Sequence, residues 1–287
     1  MEEQLTTRQV ADALKVSESS VKRWCDQGVI PTIRTVGGHR RIPSNGFREF
    51  MENSNRGKAI ISGAASIKNV DLDNSRDLVA EFEKSIVEGS EVACRAALEQ
   101  YYARCKTFAT LADELIAPTF RRLGELWSCG EIEIYQERRG CEICQRVLHQ
   151  FLQSLSAESQ HAPFAVGGTP SGDHYSLSNQ LSELVLRECD WNTRNLGSDL
   201  PLMTIARAAQ KFDAKLVWLS VSHLEDEQSF VGEFAEFRRQ LPVQTHIVLG
   251  GRALHDQLRP KLQYTAHCDN LQQLTAFAHA LRARQRT

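Results

Sequence analysis

The sequence predicts a multidomain α and α/β protein: a winged helix-turn-helix, then a helical bundle, then a Rossmann-like parallel sheet. Residues 6–42 combine helix-capping residues with a glycine-paired basic hairpin. Residues 75–159 carry apolar side chains at helical spacing, and from Pro163 onward short apolar runs alternate with helical stripes. Strand and helix alternating at that pitch make an open parallel sheet. The divisions are 1–55 for the winged helix, 56–74 for a linker, 75–160 for the bundle and 161–287 for the sheet domain.

At the N-terminus, Thr6 and Gln9 have the spacing of a capping box, and Val10 with Leu14 gives a short apolar stripe. Small Ala11 lets a second helix cross closely. Val16 plugs the turn, Ser17 caps the second helix, Val21 and Trp24 repeat the apolar spacing, and Gly28 stops it. This turns Glu18, Ser19, Lys22 and Arg23 outward. Val29 to Arg34 reads as a strand, Gly37-Gly38 as a hairpin turn, and His39-Arg40-Arg41-Ile42 as the returning strand of a basic wing. From Lys15 to Arg41 six Lys or Arg stand against Glu18 and Asp26. A cationic module of this kind suits phosphate oxygens, and a helix beside it suits the major groove. Ser19, Lys22, Arg23, Arg34, His39, Arg40 and Arg41 are therefore the candidate contacts to double-stranded DNA. The stretch LTTRQVADALKVSESSVKRWCDQGVIPTIRTVGGHRRIP resembles the DNA-binding domain of MerR-type transcriptional regulators, over roughly the first fifth of the chain.

Of 287 residues, 34 are Lys or Arg and 36 are Asp or Glu, for a net charge of −2. The basic head is balanced by an acidic remainder, so DNA affinity is local to the head and is expected to be multiplied by homo-oligomerisation. No apolar run has the length of a membrane span, and MEEQLTTRQ has no signal-peptide core, so the expectation is a cytoplasmic protein without a membrane partner. Eight cysteines are scattered, with Cys141 and Cys144 forming a CxxC. A zinc site would want a second pair or histidines nearby. The pair is either a redox or structural couple or two small core residues on a helix.

Residues 53–77 are polar and small and read as a linker. Four apolar stripes follow: Leu78, Val79, Phe82, Ile86; then Ala93, Ala96, Ala97, Tyr101; then Phe108, Leu111, Leu115; then Ile143, Val147, Leu148, Phe151, Leu152, Leu155. Gly89 and Pro118 punctuate them, as in an antiparallel bundle.

Beyond Pro163, FAVGG is a strand and Thr169 to His174 a loop. Leu177, Leu181, Leu184 and Val185 mark a helix, and a short strand ends at Asn195-Leu196. Ile205 to Phe212 is helical, Leu216 to Val221 a buried strand, and Phe230, Phe234 and Phe237 a helix. His246 to Leu249 is a strand closed by Gly250-Gly251, and Leu271, Leu274, Phe277, Ala278 and Leu281 form the last helix. Ligands of such sheets lie beyond the carboxyl ends of the strands, and the first such end holds His174. His174 is thus a ligand-binding residue or a core histidine heading the Leu177, Leu181, Leu184 stripe.

A bundle followed by a parallel sheet with this histidine resembles the cobalamin-binding domains of methionine synthase and corrinoid proteins. With the MerR-type head, the whole chain resembles the light-sensing cobalamin-dependent repressors of carotenoid genes. The resemblance implies adenosylcobalamin as cofactor and His174 as the lower axial ligand of cobalt. Ser220 and Ser222 follow, Ser220 46 positions on, and Gly250 with Gly251 begins 30 positions after that, both intervals matching the family. It further implies that Trp127, followed after nine residues by Glu137-Arg138, covers the upper face, and that Asp173 stands nearest to the acid that partners the histidine. Three positions depart from the family. Its loop reads Asp/Glu-x-His-x-x-Gly, where this chain has Gly172 and Leu177, and its histidine is here Arg138. Leu177 is expected to crowd the cofactor's tail, and a guanidinium offers cobalt no lone pair. The function implied is a sequence-specific DNA-binding transcriptional regulator, not an enzyme. Its C-terminal sensory domain would control assembly or DNA binding through cobalamin and light, with a protein antirepressor as a further partner. A cobalamin-independent regulator of the same fold, controlled by protein partners, and a corrinoid methyl carrier are the competing readings.

Overall fold

The computed structural model describes residues 4–14, 21–22, 25, 30, 32–34, 40–43, 72–155 and 157–285. Its backbone contacts fall into two compact units, Met1–Asn74 and Ser75–Thr287.

In the first unit the capping box forms: the Thr6 N–H donates to Gln9 Oε1 at 2.8 Å and the Gln9 N–H to Thr6 Oγ1 at 3.1 Å. It opens the helix Thr7–Leu14. Val10, Ala11, Val21, Ile30 and Ile42 make a small core. Strands β1 (Gln4–Thr6), β2 (Ile33–Arg34) and β3 (Arg40–Pro43) form an antiparallel sheet in the order β1-β3-β2. β2 is the last two residues of the strand expected over Val29 to Arg34. β1 was not foreseen, because three residues are too few to show alternation and its partner is distant in sequence. The expectations for Val16, Ser17, Glu18, Ser19, Arg23, Trp24, Gly28, Gly37, Gly38 and His39, and for residues 53–71 of the linker, lie outside the described residues.

The second unit begins with helices Leu72–Glu88 and Glu91–Cys105, the latter capped by Ser90, whose Oγ accepts the Ala93 N–H at 3.3 Å. The first of these starts three residues ahead of the expected Ser75. A continuous helical run follows from Phe108 to Ser128 with a π-helical segment at Ala112–Ile116, and then the helix Ile134–Ser154. Three stripes bury as expected, but Glu91–Cys105 turns Cys94, Ala97 and Leu98 inward and leaves Ala93 and Ala96 exposed. Burying one leucine removes more apolar surface than burying two alanines, which decides the rotation of that helix.

The sheet contains β4 (Phe164–Gly168), β5 (Asn192–Asn195), β6 (Leu216–Ser220), β7 (His246–Gly250) and β8 (Ala266–His267), all parallel, in the order β5-β4-β6-β7-β8. The order reverses between β4 and β6, a topological switch point. Period-two alternation gives the sheet two buried faces. Val166, Val217, Leu219, Ile247 and Leu249 pack on the helices Leu202–Lys211 and Glu227–Gln240. Ala165, Leu216, Trp218 and Val248 pack on Ser176–Glu188, Leu271–Gln285 and the bundle, which share one core. Two carboxylates join bundle and sheet helices. Glu188 accepts the Phe108 N–H at 3.0 Å, and Asp113, on the π-helical segment, accepts the N–H groups of Leu271 at 3.0 Å and Gln272 at 2.9 Å.

Candidate functional site

The loops at the carboxyl end of the sheet are tied to one another. After β4, Thr169 Oγ1 donates to the Asp173 carbonyl, and Asp173 is fully buried. Its carboxylate accepts the N–H of Tyr175 at 3.0 Å and, across the switch point, the N–H groups of Ser222 and His223. Expected beside the ligand, Asp173 instead clamps the β4 loop to the β6 loop.

His174 precedes the helix Ser176–Glu188 and lies off its apolar stripe; the side chain is 71% exposed. Its Nδ1 stands 3.9 Å from Asp199 Oδ2, on the loop after β5. Asp199 Oδ1 accepts the Gly172 N–H at 2.8 Å, while the Asp199 N–H donates to Thr169 Oγ1 at 2.9 Å and to the Asp173 carbonyl at 3.0 Å. Gly172 has φ of +80°, a left-handed backbone that favours glycine, which accounts for glycine where the resembled loops carry an acid.

Ser220 is buried with its hydroxyl 2.7 Å from that of Ser178. Ser222 accepts Arg252 Nε at 3.2 Å, and the same guanidinium lies 4.9 Å over the Tyr175 ring. Gly251 has φ of +113°, and a Cβ there would overlap the Val221 carbonyl, so the glycine lets the β7 loop close on the β6 loop. Gly250 accepts the Val221 N–H at 2.7 Å. Beneath them lies a cavity of about 210 Å³ lined by Ser178, Ser182, Trp218, Ser220 and both glycines, with Asp113 on the bundle side. A cavity of roughly 150 Å³ already holds a benzene, whereas whole small-molecule pockets measure roughly 300–1,000 Å³. This one takes a ring system of a larger ligand, not the whole of it.

Leu177 is half-buried against the core shared with the bundle, and the cavity wall at this turn is Ser178, Leu181 and Ser182. Leu177, expected to crowd the tail, is not among the residues that line the cavity. Trp127 is 50% exposed near the end of its helix, with Ile134 and Tyr135 also exposed, so it is not bundle core. Glu137 Oε1 accepts the Cys141 thiol at 3.6 Å, and its Oε2 lies 3.8 Å from Nε of the exposed Arg138. Burial, then the Glu137 charge, pushes the Cys141 thiol up to about 12. Cys144 is fully buried beside Cys94, whose hydrogen bond and burial hold the thiol well above its ordinary value. Cys144 belongs to the core and Cys141 is partly buried beside Glu137, surroundings that disfavour a thiolate at both, and among the described residues there is no cluster of three or more His, Cys, Asp or Glu that could hold a metal ion.

In the first unit, Lys22 is exposed, and β3 sets Arg40 opposite Arg34 and Arg41 opposite Ile33. Ser19, Arg23 and His39 lie outside the described residues.

Asp199, Ser178, Asn179 and Trp218 were missed in the sequence. Asp199 sits just past the second strand end, a position that could have flagged it. Trp218 carried no signal, since an aromatic within an apolar strand reads as core.

Residues 5–55 match the helix-turn-helix domain family and residues 78–151 the B12 binding domain family. No curated protein sequence matches the chain. Among solved structures, the monomethylamine corrinoid protein of Methanosarcina barkeri has a TM-score of 0.58 at 14% identity, covering 72% of this chain and 99% of that one. The methanol:cobalamin methyltransferase complex of Methanosarcina barkeri (TM-score 0.41, 16% identity, 77% and 88% covered) and a cobalamin-binding protein of Desulfitobacterium hafniense (0.37, 16%, 72% and 97%) superpose more loosely. The chain thus joins an N-terminal helix-turn-helix domain to a B12-binding architecture of helices on a Rossmann-like sheet. No described helix is long and apolar enough to cross a membrane.

Proposed function

We propose that the chain is a transcriptional regulator that holds double-stranded DNA through its first unit and takes a corrinoid, adenosylcobalamin, at the carboxyl end of its sheet. The observation that carries this reading is an exposed imidazole at the switch point, at the same sheet end as a ring-sized cavity floored by Ser220 and opened by two side-chain-free glycines. The residues present fit the group. His174 would offer a nitrogen lone pair to cobalt. The cavity would take one ring of the nucleotide tail, with the Ser178 and Ser220 hydroxyls at its wall. Trp127 offers an exposed aromatic face to cover the ligand, and Glu137 an acceptor. The chemistry such a cofactor supplies when bound is a cobalt–carbon bond that light cleaves. Arg138, a guanidinium, would offer no lone pair to cobalt, so this position would supply no second histidine ligand. Paired heads on a homo-oligomer would raise DNA affinity far above that of one head.

The test is a titration of the full-length chain with adenosylcobalamin in the dark and after illumination, read by absorbance and by DNA mobility shift. One equivalent bound with a histidine-ligated spectrum, and a mobility shift that depends on it, is the expected result. Arg138, exposed where the resembled proteins carry histidine, favours the competing reading of a cobalamin-independent regulator. That reading predicts no retained corrinoid and a mobility shift indifferent to ligand and light.

A further inference from the structure

A histidine binds a metal through one ring nitrogen, and the hydrogen bond made by the other sets which nitrogen carries the proton. In the resembled loops the acid two positions before the histidine makes that bond. Here the position is Gly172, in a left-handed backbone, and the adjacent Asp173 is buried with its carboxylate spent on the N–H groups of Tyr175, Ser222 and His223. The loop after β5 supplies a different carboxylate. Asp199 Oδ2 lies 3.9 Å from His174 Nδ1, about an ångström outside hydrogen-bond distance. The rest of Asp199 is held on three sides: Oδ1 by the Gly172 N–H, and its own N–H by Thr169 Oγ1 and the Asp173 carbonyl. With Oδ1 held by the Gly172 N–H and the imidazole 71% exposed, the ring is the partner with room to turn toward the carboxylate.

We infer that Asp199 is the positioning residue of His174: it selects the Nδ1–H tautomer and leaves Nε2 free to ligate. The tautomer stands on the geometry alone, while its consequence for corrinoid binding rests on the function proposed above. In Asp199→Asn the amide oxygen still accepts the Gly172 N–H, but an NH2 group then faces the imidazole, a donor where an acceptor stood. The experiment is nitrogen-15 NMR of the histidine rings in the full chain above the titration range of histidine, for wild type, Asp199→Asn and the control Asp190→Asn. Asp190 shares the left-handed backbone but lies on another loop. Alongside, aquocobalamin and adenosylcobalamin are titrated by absorbance. Wild type and the control are expected to show His174 as Nδ1–H and Asp199→Asn as Nε2–H, with corrinoid affinity falling roughly 10- to 100-fold in Asp199→Asn. An Asp199→Asn chain whose His174 keeps the Nδ1–H form overturns the inference. A tautomer that switches in Asp199→Asn, together with a wild type that binds no corrinoid, upholds Asp199 and removes the proposed corrinoid function.

Discussion

The indole N–H of Trp218 donates to Asn179 Oδ1 at 2.7 Å, and the nitrogen of the same amide reaches Asn195 Oδ1 at 2.6 Å and the Gly197 carbonyl at 3.0 Å. Trp218, which lines the cavity, is thereby tied to the helix Ser176–Glu188 and to the end of β5 behind it. Gly167 on β4 leaves room for the indole, because a Cβ there would overlap it.

Replacing Trp218 by Phe leaves Asn179 Oδ1 buried without its donor. An unsatisfied buried acceptor costs about 1–3 kcal/mol, so the variant should unfold at lower urea with an unchanged slope. A midpoint equal to that of wild type would show that the Asn179 relay contributes nothing to stability.

Glu188 links the bundle to the sheet through the Phe108 N–H and, at 3.1 Å, the Tyr102 hydroxyl. Burial holds its carboxyl above the ordinary range, partly offset by the Phe108 N–H, and burial does the same to Asp113. A carboxyl raised by folding binds its proton more tightly in the native chain than in the unfolded one. Its contribution is therefore fully present below the ordinary carboxylate value and is lost as pH rises through the raised one. Glu188→Gln keeps an oxygen for both donors and removes the ionisation. Unfolding free energies between about pH 4 and 8 should fall less steeply with pH in the variant than in wild type. Parallel profiles would mean that Glu188 titrates alike in both states.

Most of this architecture was legible because three of its strands are short apolar runs. β4, β6 and β7 read directly from FAVGG, LVWLS and HIVLG. β5 is Asn-Thr-Arg-Asn, buried at Asn192 and Thr193 only because side-chain bonds such as Asn192 Nδ2 to the Ser159 carbonyl at 2.8 Å satisfy them. β8 has two residues and exists through its pairing with β7. His174 was visible as a strand-end residue. The clamp of Asp173 and the approach of Asp199 were not, since both depend on which loops meet, and loop meetings leave no periodicity. The alanine-rich helix showed the converse failure: a periodic stripe was present, but the heavier Leu98 chose the buried face.

Along β3, side chains alternate between faces, and Ile42 is in the core. Arg40 shares the face of Ile42, while Arg41, paired with exposed Ile33 and with Thr6, takes the open one. Arg41→Ala should weaken binding to all duplexes and lower the salt slope by about one unit, and Arg40→Ala should change the slope less. Mobility-shift titrations over a salt series decide it, and equal slopes for the two variants would sink the division of roles.

Leu177 gives the sharpest separation between the residue pattern and the folded chain. Counted along the motif, leucine stands where the resembled proteins have glycine, and a bulky residue in the path of a ligand costs about 1–3 kcal/mol by overpacking. Folded, it is half-buried on the core shared by bundle and sheet, while the cavity is walled by Ser178, Leu181 and Ser182. Shortening it removes packing and opens no space for a ring. Leu177→Ala should therefore lose about 1–2 kcal/mol of stability, less than the 2–5 typical of a fully buried leucine. Its affinity for adenosylcobalamin should stay within a factor of about three of wild type, a difference below 1 kcal/mol. Absorbance titration of the two chains measures this directly. Tightening by tenfold or more in Leu177→Ala would return the leucine to the ligand's path and show that the helix start shifts when the site fills.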